Sequence, residues 1–490
     1  MIHDCSYGIR ASNGDVELTS VSITDNTNYG FHGSGVAPVL MDANCEFVDC
    51  GTGVLIQDID DLQFTAPLII SNNTTVGLSI DSCDDPTLDN LTLLDNSGAN
   101  GAMLLTDTGE FTLGAGNVIG GGAGDENTWP VTITMGSYAA EDCVIPVAGN
   151  DNNAIQVIGG SSTRTGTWRH FPGLNYVVTA SPSIAAAGEL TIADQVTVEF
   201  DNSDRINVYG ELIARAASVG GITFTRRGTG TWYGLRFLTA GHGEFDLCSI
   251  QYASYGIDLS SNGTVDLSRT SIQDCTYGVR ASNGTISFTN NRIFDNTAYG
   301  VYLSGANPQF GTTVSEWNDI LDNGNGQDGR NLRNGPTDIA ANYVWWGTTI
   351  PGEVEDGLWH EPDDGNLGLI DWDPYCTEEH DIIVTGVDDE PAEESDIPGR
   401  FALHQNHPNP FNAHTTIRFD LPRAADVRLD LYDITGAWVA RLVSERLPAK
   451  AHAVSWNGTD GQGRTVASGV YFYRIVTDDQ LVTRRLMLVK

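Results

Sequence analysis

Positive charge is scarce in this chain. The first lysine is Lys450, and 25 Lys+Arg face 64 Asp+Glu among 490 residues, a net charge of −39. The deficit is uneven: residues 400–490 hold 12 Lys+Arg and 8 Asp+Glu, which leaves residues 1–399 with 13 and 56, a net −43. So acidic a surface repels nucleic acid and other polyanions, and it favours solubility and cation binding. Long apolar runs are also missing, and no stretch approaches the roughly 18 residues needed to cross a bilayer as a helix. There is no G-x-S-x-G elbow, no H-E-x-x-H pair and no P-loop, so common hydrolase, zinc-protease and nucleotide chemistries find no motif. Gly324-x-Gly326-x-x-Gly329 fits a dinucleotide fingerprint only as a string, lying in a polar loop without a strand before it or a helix after it. Eight cysteines occur (Cys5, Cys45, Cys50, Cys83, Cys143, Cys248, Cys275 and Cys376), none as C-x-x-C and none at metal-ligand spacing from a histidine.

What is present is a rhythm. Tyr-Gly pairs recur every 22 residues at Tyr233-Gly234, Tyr255-Gly256, Tyr277-Gly278 and Tyr299-Gly300. The same beat sounds at Tyr7-Gly8 and Tyr29-Gly30, then loosens to Thr52-Gly53, Val76-Gly77 and Asn100-Gly101. A period of this length marks a solenoid, in which each repeat is one turn that buries its apolar face only against its neighbours. Within a turn the apolar positions alternate, as in Ile257/Leu259, Val265/Leu267 and then Ile272. That predicts three short strands per turn and a three-sided coil of parallel rungs about 4.8 Å apart. Asn262-Gly263, Asn283-Gly284 and the Asp-Asn pairs at Asp25, Asp95 and Asp295 supply corner residues that tolerate the left-handed conformation. Cys5, Cys50 and Cys275 share one register and Cys45 and Cys248 another, which predicts small side chains stacked inside the coil; export would permit disulfides. Residues 4–35 match residues 274–305 at 18 of 32 positions, so two copies of one module are expected. Ile2-His3-Asp4-Cys5 aligns with Ile272-Gln273-Asp274-Cys275, so the sequence is expected to be a fragment with a secretory signal upstream.

These features resemble the right-handed parallel β-helix of pectate-lyase-like repeat proteins. Residues 166–200 are similar to the opening segment of many secreted bacterial β-helix proteins. Residues 341–376 are similar to their closing segment, where Trp345, Trp346, Trp359 and Trp372 are expected to cover the last coil. The expected fold class is all-β: a truncated first module over 1–145, a second over 146–376, an acidic linker over 377–399 and a small β-sandwich over 400–490. That last segment carries Asn406, Pro408, Asn409, Pro410, Phe411, Asn412, Gly436, Trp456, Gly469 and Tyr471 in the order Q-N-x-P-N-P-F-N, D-I-T-G, W-N-G-T-D, A-S-G-V-Y. It closely resembles the C-terminal sorting domain of type IX secretion cargo. The resemblance implies recognition by that machinery as partner and a secreted or cell-surface location.

Candidate chemistry is thin. Pectate lyases hold Ca²⁺ on carboxylates beside a basic residue, and Asp4, Asp25, Asp49, Asp95, Asp274 and Asp295 recur on one edge with Arg10 and Arg280 nearby. Recurrence at equivalent places in both copies points instead to corner-capping hydrogen bonds, because a single active site needs one asymmetric constellation. Ca²⁺ is the one cofactor that the acidic row suits. Asp60-Asp61, Asp84-Asp85 and Gly241-His242-Gly243 echo polygalacturonase motifs, but no coil brings them together. The tyrosine column reads first as coil-on-coil packing and second as a platform for sugars. The expected function is non-catalytic adhesion or glycan binding by an exported protein. The alternative is a polysaccharide lyase or glycoside hydrolase.

Overall fold

A computed structural model of the chain describes residues 1–41, 45–59, 62–64, 66–121, 126–145, 149–218, 221–324, 330–380, 402–403, 406, 415–434, 436–462, 464–477 and 481–488. Two compact units are resolved, Met1–Thr385 and Gly386–Lys490.

The first unit is a parallel β-solenoid. Strands one turn apart pair in register: Tyr255 lies beside Tyr277 and Tyr277 beside Tyr299, with Ile257, Val279 and Val301 aligned on the inner side. Alternation does the sorting. In Tyr277–Ala281 the valine and alanine are buried while the tyrosine and arginine face outward. Like stacks on like through the interior, as in the fully buried column Ile250, Ile272, Ile293 and Ile320. Such columns let each rung bury its apolar face on an identical neighbour, which isolated three- to six-residue strands could not do.

One sheet of 15 strands runs through both sequence copies, from Tyr7–Leu18 to Val344–Trp345. Ala154–Ile158 pairs with Val131–Ile133 on one side and Asn175–Ala180 on the other, so hydrogen bonding is unbroken across the repeat junction. The faces change partners there. In the first copy the 15-stranded sheet contains the Tyr-Gly strands, such as Tyr29–Met41. In the second it contains the Ser271–Gln273 type, and the Tyr-Gly strands move to a separate nine-stranded sheet. The two copies therefore stack as one coil with their repeats out of phase by a face.

The corners follow the expected chemistry with an addition. Asp25, Asp95 and Asp295 adopt φ of 56°, 51° and 54°, the left-handed region that Asp and Asn tolerate. The asparagine after each is not on the surface: Asn26, Asn96 and Asn296 are buried and form ladders along the coil. Asn73 Nδ2 donates to Asn96 Oδ1 (2.9 Å), Asn96 Nδ2 to Asn127 Oδ1 (2.8 Å), and Asn127 Nδ2 to Asn150 Oδ1 (3.0 Å). In the second copy Asn296 Nδ2 donates to Asn323 Oδ1 (2.9 Å), and a parallel ladder joins Asn291 to Asn318 (3.0 Å). Each amide also satisfies backbone groups that the bend would leave buried and unpaired.

Cysteine fills the same register, with Cys50 accepting at Sγ from Asn26 Nδ2 (3.9 Å) and Cys275 N–H donating to Asn296 Oδ1 (3.0 Å). All eight thiols are free, and all but Cys5 are buried. Burial pushes the Cys275 thiol up to about 12 and those of Cys83 and Cys143 to about 11.

At the far end, Trp346 joins the main core, and Trp345 packs with Leu321 and Cys376. Trp359 departs from the expected cover and is 38% exposed. A short helix, Pro351–Asp356, seals the last coil with Val354. Its Glu355 accepts hydrogen bonds from Trp372 Nε1 and pairs with His360 Nε2, both at 2.8 Å.

The second unit is an antiparallel pair of sheets, one of three strands (Ala402–Leu403, Thr415–Asp420, Ala451–Trp456) and one of four (Ala425–Asp433, Trp438–Leu447, Gly469–Val476, Leu481–Leu488). Its core centres on Phe419, Leu429, Leu431, Trp456, Tyr473 and Leu486.

Candidate binding face

The outer surface of the nine-stranded sheet concentrates what the chain otherwise lacks. Four of the 13 cationic residues before residue 400 lie there, Arg205, Arg236, Arg280 and Arg333, and a fifth, Arg330, precedes the strand Leu332–Arg333 and covers the ring of Tyr299. Register generates two columns. One carries Tyr233, Tyr255, Tyr277 and Tyr299. The other runs Asn207, Arg236, Asp258, Arg280, Tyr302, Arg333 and Trp359, one residue per rung.

Tyrosine packing is on the outside of the coil rather than in its core. The rings of Tyr255 and Tyr277 stack with centroids 5.2 Å apart and planes 28° apart, and those of Tyr277 and Tyr299 at 5.7 Å and 19°. Tyr302 stands edge-on to both Tyr277 and Tyr299. Guanidinium groups cover further ring surface: Arg280 lies 3.8 Å from the Tyr255 centroid, Arg330 4.4 Å from Tyr299 and Arg333 4.5 Å from Tyr302.

At the centre sits a buried carboxylate. Asp258 is fully shielded, and Arg280 holds it with two hydrogen bonds of 2.9 Å, Nε to Oδ1 and Nη2 to Oδ2. Arg236 approaches at 3.5 Å, and the Tyr233 hydroxyl donates to Oδ2 at 2.9 Å. Burial, and then the Asp258 charge, push the Tyr233 phenol up, so it remains a donor. Two guanidiniums around one carboxylate leave the cluster net positive.

The other sequence candidates are placed differently. Asp4, Asp49 and Asp274 share the left-handed corner conformation with φ of 59°, 54° and 55°. Among the described residues no group of three His, Cys, Asp or Glu side chains could hold a metal ion. Asp84 is engaged by Arg164 at 2.7 Å, while His242 meets Thr264 Oγ1 (2.6 Å) and Glu244 (3.1 Å) on another sheet. Asp60, Asp61, Gly326 and Gly329 lie outside the described residues. In the second unit Asn406 is buried and its N–H donates to the Tyr473 hydroxyl (2.9 Å); Trp456 packs against Tyr471 with centroids 5.4 Å apart. Gly436 takes φ of 84° in a tight turn, and Gly469 opens the strand Gly469–Val476. Pro408, Asn409, Pro410, Phe411 and Asn412, and most of the acidic linker, lie outside the described residues.

Sequence reading missed the Asp258 cluster although its signal was present. Arg236, Asp258, Arg280 and Tyr302 stand at the same 22-residue interval as the tyrosines.

Comparison with known proteins agrees with this architecture. Residues 1–166 and 182–334 match the family described as "Right handed beta helix region", and residues 409–480 match the "FlgD Ig-like domain". No curated protein matches the chain. A solved structure of PorZ, titled an essential bacterial surface component of the type-IX secretion system of Porphyromonas gingivalis, is 22% identical over 18% of this chain. The match spans 11% of the PorZ chain, with a TM-score of 0.15.

Proposed function

Because the chain belongs to the right-handed β-helix family, we propose that its solenoid is an exported, non-catalytic scaffold that binds glycan chains for adhesion, addressed by its C-terminal domain to the type IX machinery. The observation that carries the binding reading is the outward ladder of aromatic and guanidinium groups on the nine-stranded sheet. Its sites recur once per rung, which suits an extended polymer of repeating units better than a compact small molecule. Adhesion is favoured over turnover because the recurring aspartates adopt corner conformations, and Asp84 and Asp258 are held in ion pairs with Arg164 and Arg280. Acid–base hydrolysis of a glycosidic bond needs two carboxyl groups facing that bond, whereas elimination by a lyase does not and is read separately by the unsaturated-sugar assay. Export is supported by the motif residues Asn406 to Asn412, Gly436, Trp456, Gly469 and Tyr471 and by the antiparallel fold of the domain that carries them.

The binding reading is tested with the full chain on a glycan array, together with assays for reducing ends and unsaturated sugars. Binding without product is expected; release of product would replace it with the enzyme reading. For export, deleting residues 400–490 in the producing cell should trap the protein in the periplasm. Unaltered surface display would remove the sorting assignment.

A further inference from the structure

Resting on the glycan-binding reading, the geometry of the strip narrows the ligand further. We propose that the nine-stranded sheet binds anionic polysaccharide, carboxylated or sulfated, lying along the solenoid axis and held through its acidic groups by tyrosine hydroxyls and guanidiniums rather than by ring stacking.

Three observations carry this. The aromatic faces are closed: each of Tyr255, Tyr277 and Tyr299 stacks on a neighbouring ring, and Arg280 and Arg330 cover more of Tyr255 and Tyr299. A pyranose ring, or a nucleic-acid base, that needs an open π-face finds none along this column. What the column leaves outward is its hydroxyl edge. Among the described residues the hydroxyls of Tyr255, Tyr277, Tyr299 and Tyr302 have no protein partner, whereas that of Tyr233 is taken by Asp258. Burial, followed by the neighbouring tyrosines, raises the Tyr277 phenol, which keeps it protonated and able to donate.

Charge is the third observation. The strip sets five arginines against the single carboxylate Asp258, and Arg205, Arg330 and Arg333 form no described ion pair. Asp204, beside Arg205, and Asp364 each feel one of these charges, from Arg205 and Arg333 respectively. The rest of the surface is acidic, but at physiological ionic strength charges beyond about 8 Å are largely screened, so the local excess decides. Guanidiniums and phenols spaced rung by rung offer charge-assisted donors to a polymer whose acids repeat along its length.

The test uses the full chain in affinity electrophoresis and calorimetry against polygalacturonate, a sulfated galactan, a neutral galactan and single-stranded DNA. At least one acidic glycan should bind about tenfold more tightly than the neutral one or the DNA, and added salt should weaken it. The carboxylated and sulfated arms identify which acid is read. Two variants probe the donors. Tyr255→Phe/Tyr277→Phe/Tyr299→Phe removes the hydroxyls and keeps the stack, and Arg205→Gln/Arg333→Gln removes two cations outside the Asp258 cluster. Each should weaken binding about tenfold with an unchanged circular dichroism spectrum, and the arginine variant should also melt slightly lower, because Arg333 Nη1 donates to Leu303 O (2.9 Å). Equal binding of neutral glycan, equally tight DNA, or unchanged affinity in both variants overturns the inference while leaving a glycan-binding scaffold. Failure of every glycan to bind overturns the scaffold's proposed function as well.

Discussion

Replacing Asn296 by alanine tests whether the asparagine ladder holds the corners. Its Oδ1 accepts the Cys275 N–H (3.0 Å), and its Nδ2 donates to Asn323 Oδ1 (2.9 Å), Phe294 O (3.1 Å) and Ile272 O (3.2 Å). The backbone N–H of residue 296 keeps its own bond to Asn323 Oδ1 (3.1 Å). Alanine therefore strands one fully buried N–H, which costs about 1–3 kcal/mol. The lost amide volume leaves a void worth about 1 kcal/mol more, for a total of about 3 kcal/mol. Each turn of a solenoid contacts only its neighbours, so the loss should appear as local opening before any global change. Hydrogen exchange read by mass spectrometry on peptides spanning 272–300 should speed up about a hundredfold at the Cys275 amide. Asn296→Cys should cost clearly less, because cysteine already serves this register: the Cys275 Sγ donates to Gln273 O at 3.3 Å. An alanine variant that exchanges within about threefold of the parent, or a cysteine variant as damaged as alanine, would refute the ladder's role.

Three further outcomes follow from the same geometry. A Cβ on Gly278 would sit 2.6 Å from Gly300 O and 2.8 Å from Ile293 Cγ2, so Gly278→Ala should destabilise the second half by about 2–4 kcal/mol in denaturant unfolding of the solenoid. Arg280→Met withdraws the two-point partner of the shielded Asp258, with an expected cost of about 3–5 kcal/mol; Arg280→Lys should recover only part, because an ammonium cannot form the fork. Asp322 sits at an exposed corner with φ of 54°, where partial desolvation by the neighbouring rungs, and then Glu379, raise its carboxyl. The folded state thus binds this proton more tightly than the unfolded one, and stability is lost as pH rises through the folded value. Asp322→Asn should therefore be more stable than the parent at neutral pH, with the difference vanishing below the ordinary aspartate range in melts run across pH.

The coil was legible in the sequence because its governing interaction is translational. A side chain at one rung meets its counterpart 22 residues away, so the period of Tyr-Gly and of the apolar alternation transmits directly into register. Corner conformation was legible for the same reason, through Asp25, Asp95 and Asp295. The inward turn of Asn26, Asn96 and Asn296 was not, since an Asp-Asn pair reads equally well as two exposed turn residues until the neighbouring rung supplies its N–H. The change of face between the copies was also hidden: both carry the same strand pattern, and only pairing across Val131–Ile133, Ala154–Ile158 and Asn175–Ala180 reveals which sheet each strand joins. On the candidate face the Tyr column was visible but its side of the sheet was not, because each ring precedes a bend glycine. Asp258 stayed unnoticed because its charge interrupts the run of arginines and tyrosine from Arg236 to Arg333.

The central claim is that residues one period apart are hydrogen-bonded neighbours, and site-directed disulfide trapping measures it most directly. Asp266 and Ser287 face each other in register on adjacent rungs, and Gln309 lies one rung beyond Ser287. With adjacent rungs about 4.8 Å apart, Asp266→Cys/Ser287→Cys falls within the span of a disulfide, whereas Asp266→Cys/Gln309→Cys, about twice as far, does not. Mild oxidation followed by peptide mapping should show the 266–287 cross-link forming readily and the 266–309 cross-link not at all. Equal trapping of the two pairs, or none of the first, would contradict the stacked coil.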